Sequence, residues 1–250
     1  MAGARHGCFD LSSPCPHPQH GRMPSRLIAI GDVHGCSAAL DALLGAIEPC
    51  AEDRIVMLGD YVDRGPDSRG VIERLIQLGD ECTVVPILGN HEEMMLSVLL
   101  GKAPRAWWMQ HGGSDTLESY GGARGPLGGF ESIPASHVEW LQACPNYYET
   151  DGWFFTHANY VATEPLDSQP AEALRWQSLG EHFPEQHTNG KRAVLGHTSQ
   201  RNGEVYDAGH FVCIDTFCHG GGWLTAYEPE TGQVWQASAG GRLREPGPDA

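Results

Sequence analysis

Residues 27–35 read LIAIGDVHG, residues 55–65 read IVMLGDYVDRG and residues 84–92 read VVPILGNHE. Each segment opens with a short apolar run, as a buried parallel strand does, and then passes through glycine into polar residues. Between the segments, leucine, isoleucine and valine recur at the spacing of one face of a helix. This alternation of strands and helices predicts a parallel α/β sheet.

Five more strand-like runs follow a glycine-rich middle segment. They comprise residues 153–158, 192–197, 210–215, 222–228 and 233–237. Turn-forming residues join the last three runs, which predicts an antiparallel meander near the end of the chain.

The domain organisation follows from composition. Residues 26–240 contain no repeat and no linker, so we expect a single domain with a helical insertion near residues 102–145. Residues 1–25 are rich in proline, serine, glycine and histidine, which predicts a disordered extension. Residues 241–250 are expected to fray.

The net charge excludes two classes of binding partner. The 250 residues include 16 lysines and arginines against 32 aspartates and glutamates, so the formal net charge is −16. Nucleic acids and anionic membranes are bound through clustered cations, so we expect neither as a partner. No apolar run reaches the ~18 residues of a membrane span. Eight scattered cysteines without a CxxC pair favour reduced thiols in a cytoplasmic protein.

Polar residues follow each of the first three strands. Asp32 and Asp60 are 28 residues apart, and Asp60 and Asn90 are 30 apart. One βαβ unit takes about 30 residues. The three segments should therefore lie on adjacent strand ends, in the crevice where open α/β sheets bind ligands.

Six side chains at strand ends have the chemistry of metal ligands: Asp32, His34, Asp60, Asn90, His157 and His197. Buried carboxylates repel one another unless a cation neutralises them, and these oxygen and nitrogen donors suit Mn, Fe or Zn. Six protein ligands exceed what one reactive metal uses. Two metals that share a carboxylate would use them all, and such pairs hydrolyse phosphate esters.

Five short blocks carry a family resemblance: GDVHG (31–35), GDYVDRG (59–65), GNHE (89–92), THAN (156–159) and GHT (196–198). Over residues 26–228 the chain resembles the serine/threonine phosphoprotein phosphatase family of metallophosphoesterases, in its compact bacterial form. The resemblance implies an α/β fold, a four-layer α/β/β/α sandwich of two mixed sheets. It also implies a centre of two divalent metal ions, often Mn²⁺ in bacterial members, with Fe or Zn as alternatives.

The same resemblance implies a role for each site residue. The first metal would be bound by Asp32 and His34, the second by Asn90, His157 and His197, and both by the bridging Asp60. Arg64 would hold the phosphoryl oxygens, a task that suits its planar guanidinium. His91 would protonate the leaving alkoxide while Asp63 orients the imidazole, and a metal-bridging hydroxide would attack.

The chain departs from the family at a second phosphate-binding arginine. Ser178 stands where that arginine usually lies, two residues after Trp176. Arg175, on the other side of the tryptophan, is the candidate replacement. Cys218 and His219 fall outside the metal-binding blocks, and we expect them to have a structural or loop role.

These features predict a monomeric phosphomonoesterase that acts on phosphorylated serine, threonine or tyrosine in proteins and on small phosphate esters. The nearest alternative uses the same metals as a dinucleoside polyphosphate hydrolase or a phosphodiesterase. A non-catalytic binding module is disfavoured, because it would have no use for Asp63, Arg64 and His91 beside the metals. Two divalent cations would also give this acidic protein a local positive field for an anionic substrate.

Overall fold

The computed structural model describes residues 25–122 and 129–245. In chain order its helices and strands are β1 (Leu27–Ile30), α1 (Ser37–Ile47), β2 (Arg54–Met57), α2 (Ser68–Glu81), β3 (Thr83–Pro86), α3 (Asn90–Leu99), α4 (Arg105–Met109), α5 (Gly113–Ser119), α6 (Ala135–Gln142), β4 (Tyr147–Glu149), β5 (Trp153–Thr156), α7 (Ala171–Arg175), β6 (Arg192–Leu195), β7 (Tyr206–Asp207), β8 (Phe211–Cys213), β9 (Trp223–Glu228) and β10 (Gln233–Ser238). Of the extension predicted over residues 1–25, the insertion predicted near 102–145 and the frayed tail predicted over 241–250, residues 1–24, 123–128 and 246–250 lie outside the described residues.

The first sheet has the strand order β10-β9-β1-β2-β3. β1, β2 and β3 are parallel, and their register pairs Ala29 with Val56 and Val56 with Val85. Because α1 and α2 are the crossovers between these strands, the three carboxyl ends reach the same edge of the sheet. β9 lies antiparallel to β1, and β10 lies antiparallel to β9.

The second sheet has the order β4-β5-β6-β8-β7. β5, β6 and β8 are parallel, with β4 and β7 as antiparallel edge strands. The predicted meander of the last three runs is therefore wrong, because β8 pairs with β6 while β9 and β10 form a hairpin in the first sheet. Alternating side chains identify a strand, but they do not say which of two sheets receives it.

Alternate side chains of the central strands separate the core into layers. Ile28 and Ile30 pack with the helices on one face of the first sheet. Ala29 points the other way and belongs, with Phe155 of the second sheet, to an apolar layer between the sheets. The segment between β5 and β6 covers the outer face of the second sheet with the side chains of Tyr160, Leu166 and Leu179. These layers confirm the predicted sandwich of two mixed sheets with flanking helices.

The predicted insertion and the start of the tail are also described. α4, α5 and α6 lie within residues 102–145, and Trp108 of α4 is completely buried. At the other end of the chain, Leu243 forms a bridge with Ala237, and the Arg244 N–H donates to Gln236 O at 2.8 Å. The described part of the tail is therefore attached to β10.

Two further observations concern the described residues as a whole. Their six cysteines are free thiols. A helix both long enough and apolar enough to cross a membrane is not found among them.

Candidate metal centre

The metal-ligand candidates meet at one edge of both sheets, because they follow the carboxyl ends of parallel strands. Asp60 lies at the centre, with one carboxylate oxygen 3.3 Å from His34 Nε2 and the other 3.4 Å from His157 Nε2. Asn90 Oδ1 lies 2.9 Å from His157 Nε2 and 3.2 Å from His197 Nδ1. Residues as distant in the sequence as His34 and His197, which are 163 positions apart, therefore share one site.

Backbone carbonyl groups orient three of the histidines. His34 Nδ1 donates to Val62 O at 3.0 Å, and His157 Nδ1 donates to Leu58 O at 2.7 Å. His197 uses the other nitrogen, since its Nε2 donates to Trp176 O at 2.9 Å. A carbonyl oxygen only accepts, so the opposite ring nitrogen carries a lone pair. Each imidazole is thereby prepared as a ligand, as metal-binding histidines usually are.

Two groups of donors have atoms that all lie within 4.8 Å of one another. One group is His34, Asp60 and His91, and the other is Asp60, His157 and His197. Because Asp60 belongs to both groups, its two oxygens can serve two metal ions at once. The described residues therefore fit the predicted dinuclear centre with Asp60 as the bridge.

Asp32 stands slightly apart from these groups. Both of its carboxylate oxygens accept the backbone N–H of His197 at 3.1 Å. Burial, with Asp215 and Asp60 nearby, raises the pKa of Asp32 well above its ordinary value. The first donor group contains His91 where the sequence analysis expects Asp32, so a ligand role for Asp32 stays a prediction.

The protonation states favour cation binding. Burial lowers the pKa of His157 to about 4, which keeps its imidazole neutral at pH 7. Burial opposes the charge of Asp60, but the neighbouring His157, His91 and His34 hold the pKa of that carboxyl well below its ordinary value. A neutral imidazole and an ionised carboxylate are the forms that bind a metal.

The backbone of the site is strained. Among the described residues, a positive φ occurs at seven non-glycine positions, and five of them carry site side chains: His34, Asp60, Asp63, Arg64 and His197. Such conformations are costly for residues with a Cβ and cluster at functional sites. Gly59 (φ 104°) precedes Asp60, and a Cβ there would lie 2.9 Å from His157 Nδ1. A side chain at position 59 would therefore displace a metal-ligand candidate.

Glu92 fixes the loop that carries Asp60 and was not singled out from the sequence. Its carboxylate accepts the backbone N–H groups of Asp60 at 2.8 Å, Tyr61 at 2.7 Å, Val62 at 3.1 Å and Gly89 at 3.0 Å. Glu92 is completely buried, and burial together with Asp60 raises its pKa to about 8. One side chain thus joins the loop after β2 to the start of α3.

His91 and Asp63 form the predicted pair, with His91 Nδ1 2.7 Å from Asp63 Oδ2. The other hydrogen bonds to the Asp63 carboxylate come from the insertion, namely from Trp108 Nε1 at 2.9 Å and the Thr116 hydroxyl at 2.7 Å. Trp108 and Thr116 are thus further positioning residues. The helical insertion therefore holds the carboxylate that orients His91.

Arg64 lies on the solvent-exposed side of the site. Its side chain is exposed, and Nη1 lies 3.0 Å from His34 Nε2 and 3.3 Å from His219 Nε2. The His219 ring also lies 4.6 Å from the His34 ring, centroid to centroid. Burial, with His34 and Arg64 nearby, lowers the pKa of His219 to about 3, so this imidazole is neutral and accepts from Arg64. His219 therefore contacts the site, although the sequence suggests only a structural or loop role.

Arg175, the predicted second phosphate ligand, forms hydrogen bonds with other residues of the chain. Its Nε donates to Glu93 Oε2 at 2.8 Å, and its Nη1 donates to Asn146 Oδ1 at 2.6 Å. Only 8% of Arg175 is exposed. The Ser178 hydroxyl donates to Glu181 Oε2 at 3.0 Å. A phosphate role for Arg175 would require breaking the ion pair with Glu93, and it stays a prediction.

Comparison with known sequences gives one family. The family model described as calcineurin-like phosphoesterase matches residues 25–226. The symmetrical bis(5'-nucleosyl)-tetraphosphatase of Nitrosomonas europaea is 35% identical over 159 residues, which are 62% of this chain and 53% of the relative. The protein of the same name from Bordetella pertussis is 30% identical over 190 residues, 68% of this chain and 62% of the relative. The chain thus spans less than two thirds of the length of these relatives.

Solved structures share the fold at lower identity. A crystal structure of a protein provisionally called a diadenosine tetraphosphatase superposes with a TM-score of 0.65 at 22% identity, over 86% of this chain and 94% of that one. A cold-active protein tyrosine phosphatase superposes with a TM-score of 0.62 at 18% identity, over 88% and 78%. At these identities the likeness concerns the fold alone.

Proposed function

The chain belongs to the calcineurin-like phosphoesterase family and is a metal-dependent hydrolase, and from this premise we propose that it cleaves dinucleoside polyphosphates. The observation that carries the proposal is the pair of donor groups sharing Asp60, beside the exposed guanidinium of Arg64. The two relatives described above are both named as symmetrical bis(5'-nucleosyl)-tetraphosphatases. Their names support the alternative hypothesis from the sequence better than the preference for phosphoproteins.

The residues of the chain divide the chemistry between them. Two divalent ions, when bound by the donor groups, would supply Lewis acidity at the phosphoryl group and lower the pKa of water. Arg64 would bind phosphoryl oxygens through its guanidinium N–H groups. His91, held at Nδ1 by Asp63, would pass a proton from Nε2 to the leaving group; because burial lowers the pKa of His91, the imidazole would first take that proton from water.

The leaving group determines how much His91 contributes. A nucleoside diphosphate leaves as a weakly basic phosphate oxygen, whereas an alkyl phosphate releases a strongly basic alkoxide. General-acid catalysis matters most when the leaving group is a strong base. Hydrolysis of a polyphosphate should therefore depend mainly on Arg64 and the metal ligands.

The test is a panel of substrates with the purified protein in Mn²⁺. We expect diadenosine tetraphosphate to give two molecules of ADP at a kcat/KM above that of a serine phosphopeptide or a bis(p-nitrophenyl) phosphate diester. Chelation of the metal should abolish the activity, and Mn²⁺, Fe²⁺ and Zn²⁺ are compared for its recovery. A higher kcat/KM on the phosphopeptide would reject the proposal in favour of phosphoprotein hydrolysis.

The predictions of a monomer and of a cytoplasmic location stay predictions. Light scattering of the purified protein tests the first, because one chain has a mass of 27.1 kDa. Fractionation of the source cells tests the second.

A further inference from the structure

A cavity of about 480 Å³ lies between α3, α4 and α7, and two tryptophans form part of its wall. The rings of Trp107 and Trp176 are nearly parallel, with an interplanar angle of 19° and centroids 5.8 Å apart. Both side chains are half-buried, so part of each indole faces the cavity. The opening therefore presents aromatic surface to a flat ligand.

Two backbone carbonyl groups of the cavity wall link it to histidines at and beside the metal centre. Trp176 O accepts the hydrogen bond from Nε2 of His197, a metal-ligand candidate. Trp107 O accepts from His111 Nδ1 at 2.8 Å, and the His111 ring lies 6.4 Å from the ring of His91. A molecule that has its phosphates at the metal centre could therefore extend a short arm into the cavity.

The aromatic wall is held in place before any ligand binds. Trp176 Nε1 donates to Glu93 Oε2 at 2.7 Å, and the same carboxylate receives Arg175 Nε at 2.8 Å. Arg175 is in turn held by Asn146. Because these contacts fix the indole in advance, a ligand would lose little affinity to ordering it.

The charges of the cavity disfavour a phosphate group there. Glu93 and Glu172 contribute two carboxylates, and Arg175 is the single cation among the residues that line this cavity. The guanidinium is already paired with Glu93. Phosphate should therefore stay at the metals, while a neutral aromatic group with N–H donors suits the cavity.

We propose that this cavity binds one nucleobase of a dinucleoside polyphosphate, by stacking on the Trp107 and Trp176 platform. The inference rests on the proposed function, because it takes its ligand from that substrate class. Nucleobases stack on aromatic side chains with little dependence on which base is bound. The Glu172 carboxylate at the cavity can accept a hydrogen bond from an exocyclic amino group, which favours adenine over uracil.

The first test measures KM and kcat of Trp107→Ala and Trp107→Phe on diadenosine tetraphosphate and on p-nitrophenyl phosphate. With the alanine variant we expect KM for the dinucleotide to rise about 10- to 100-fold more than KM for the small ester, with little change in kcat. Phenylalanine should restore most of the binding. Trp235→Ala, which changes a half-buried tryptophan of β10, is the matched control.

The second test needs no turnover. Adenosine, which carries no phosphate, is titrated into the metal-loaded protein while tryptophan fluorescence is recorded. We expect saturable quenching that the Trp107→Ala variant loses and that the Trp235→Ala variant keeps. N-acetylarginine amide is titrated in parallel, because a cavity with two carboxylates could instead receive a cationic side chain.

The outcomes separate the two proposals. If the wild-type protein cleaves diadenosine tetraphosphate but Trp107→Ala leaves its KM unchanged, the nucleobase proposal is wrong and the proposed function stands. If the dinucleotide is not cleaved and adenosine still quenches through Trp107, the proposed function fails while the cavity remains a base-binding site. Quenching by N-acetylarginine amide without quenching by adenosine would overturn the nucleobase proposal.

Discussion

At the scale of single residues, His219 is one of two histidines that Arg64 contacts at the site. Arg64 Nη1 points at two imidazole nitrogens, one on His34 and one on His219. A metal ion bound by His34 would use the lone pair of His34 Nε2. His219 Nε2 would then be the remaining acceptor for the Arg64 N–H. We therefore expect His219 to position Arg64, the residue predicted to bind phosphate.

Replacement of His219 tests this role. We expect His219→Leu to raise KM for diadenosine tetraphosphate about 5- to 10-fold, because a hydrogen bond to a charged group is lost. His219→Gln keeps an acceptor oxygen and should recover much of the loss. Equal KM values for the leucine and glutamine variants would contradict the role, and initial rates over a range of substrate concentrations decide between the two.

Replacement of His91 separates the two kinds of leaving group. We expect His91→Asn to lower kcat on an alkyl phosphate by ~10²–10⁴. The same variant should lose only about tenfold or less on diadenosine tetraphosphate, since that leaving group needs less help from an acid. His182→Asn, at an exposed histidine, is the control. Equal losses on both substrates would show that His91 acts as a metal ligand or structural residue and not as an acid.

The sequence predicts the ligands of the site better than the residues that support them. Asp60, His157 and their partners follow strands, so short motifs and spacing reveal them. Glu92 and Trp108 act through hydrogen bonds to distant backbone or carboxyl groups. Such contacts depend on tertiary packing, and no periodic pattern marks them. Glu92 does stand in the GNHE block (89–92), and that motif is the sequence signal available for it.

At the scale of elements, an ion pair ties the start of β1 to the start of β2. Arg26 Nη2 lies 2.5 Å from Asp53 Oδ2, and the Arg26 backbone N–H also donates to Asp53 Oδ1 at 3.1 Å. Asp53 is buried, with 2% exposed, and its Oδ2 also accepts the Cys50 N–H. Burial would raise the pKa of Asp53, but the hydrogen bonds from Arg26 and Cys50 outweigh it and lower that pKa.

This pair predicts a pH-dependent stability. Because the folded pKa lies below the unfolded value near 3.8, the contribution is complete above that value and is lost as the pH falls through the folded pKa. We expect Asp53→Asn to lower the free energy of unfolding by about 2 kcal/mol at pH 7. The difference from wild type should shrink below pH 3.8, as urea unfolding at pH 7, 5 and 3 would measure. A constant difference would refute the assignment.

The sequence predicts which segments form strands better than it predicts which strands pair with one another. The alternation over residues 27–92 predicted three parallel strands, and β1, β2 and β3 confirm it. β4 and β7, of three and two residues, are too short to carry a periodic signal. The separation of β8 from β9 depends on the docking of two sheets, which local pattern does not encode.

At the scale of the whole molecule, we expect metal ions to stabilise the folded protein as well as to support its catalysis. Asp32 and Asp60 are buried together, and a bound cation relieves their repulsion. Ligands that bind only the folded state raise stability with their concentration. We expect Tm to rise by several degrees with Mn²⁺ and to return to the apo value with a chelator. A Tm that is the same with and without Mn²⁺ would argue against the site.

The sharing of one site between two sheets also sets an order of events during synthesis. The donor group of His34 and His91 comes from the first half of the chain, whereas His157 and His197 come from the second. A ribosome delivers the amino-terminal half first, when the partner sheet does not yet exist. Full metal occupancy must therefore wait until the chain beyond residue 197 has emerged and both sheets have docked. Metal uptake would then mark completed assembly, and partly made chains would bind no intact pair of ions.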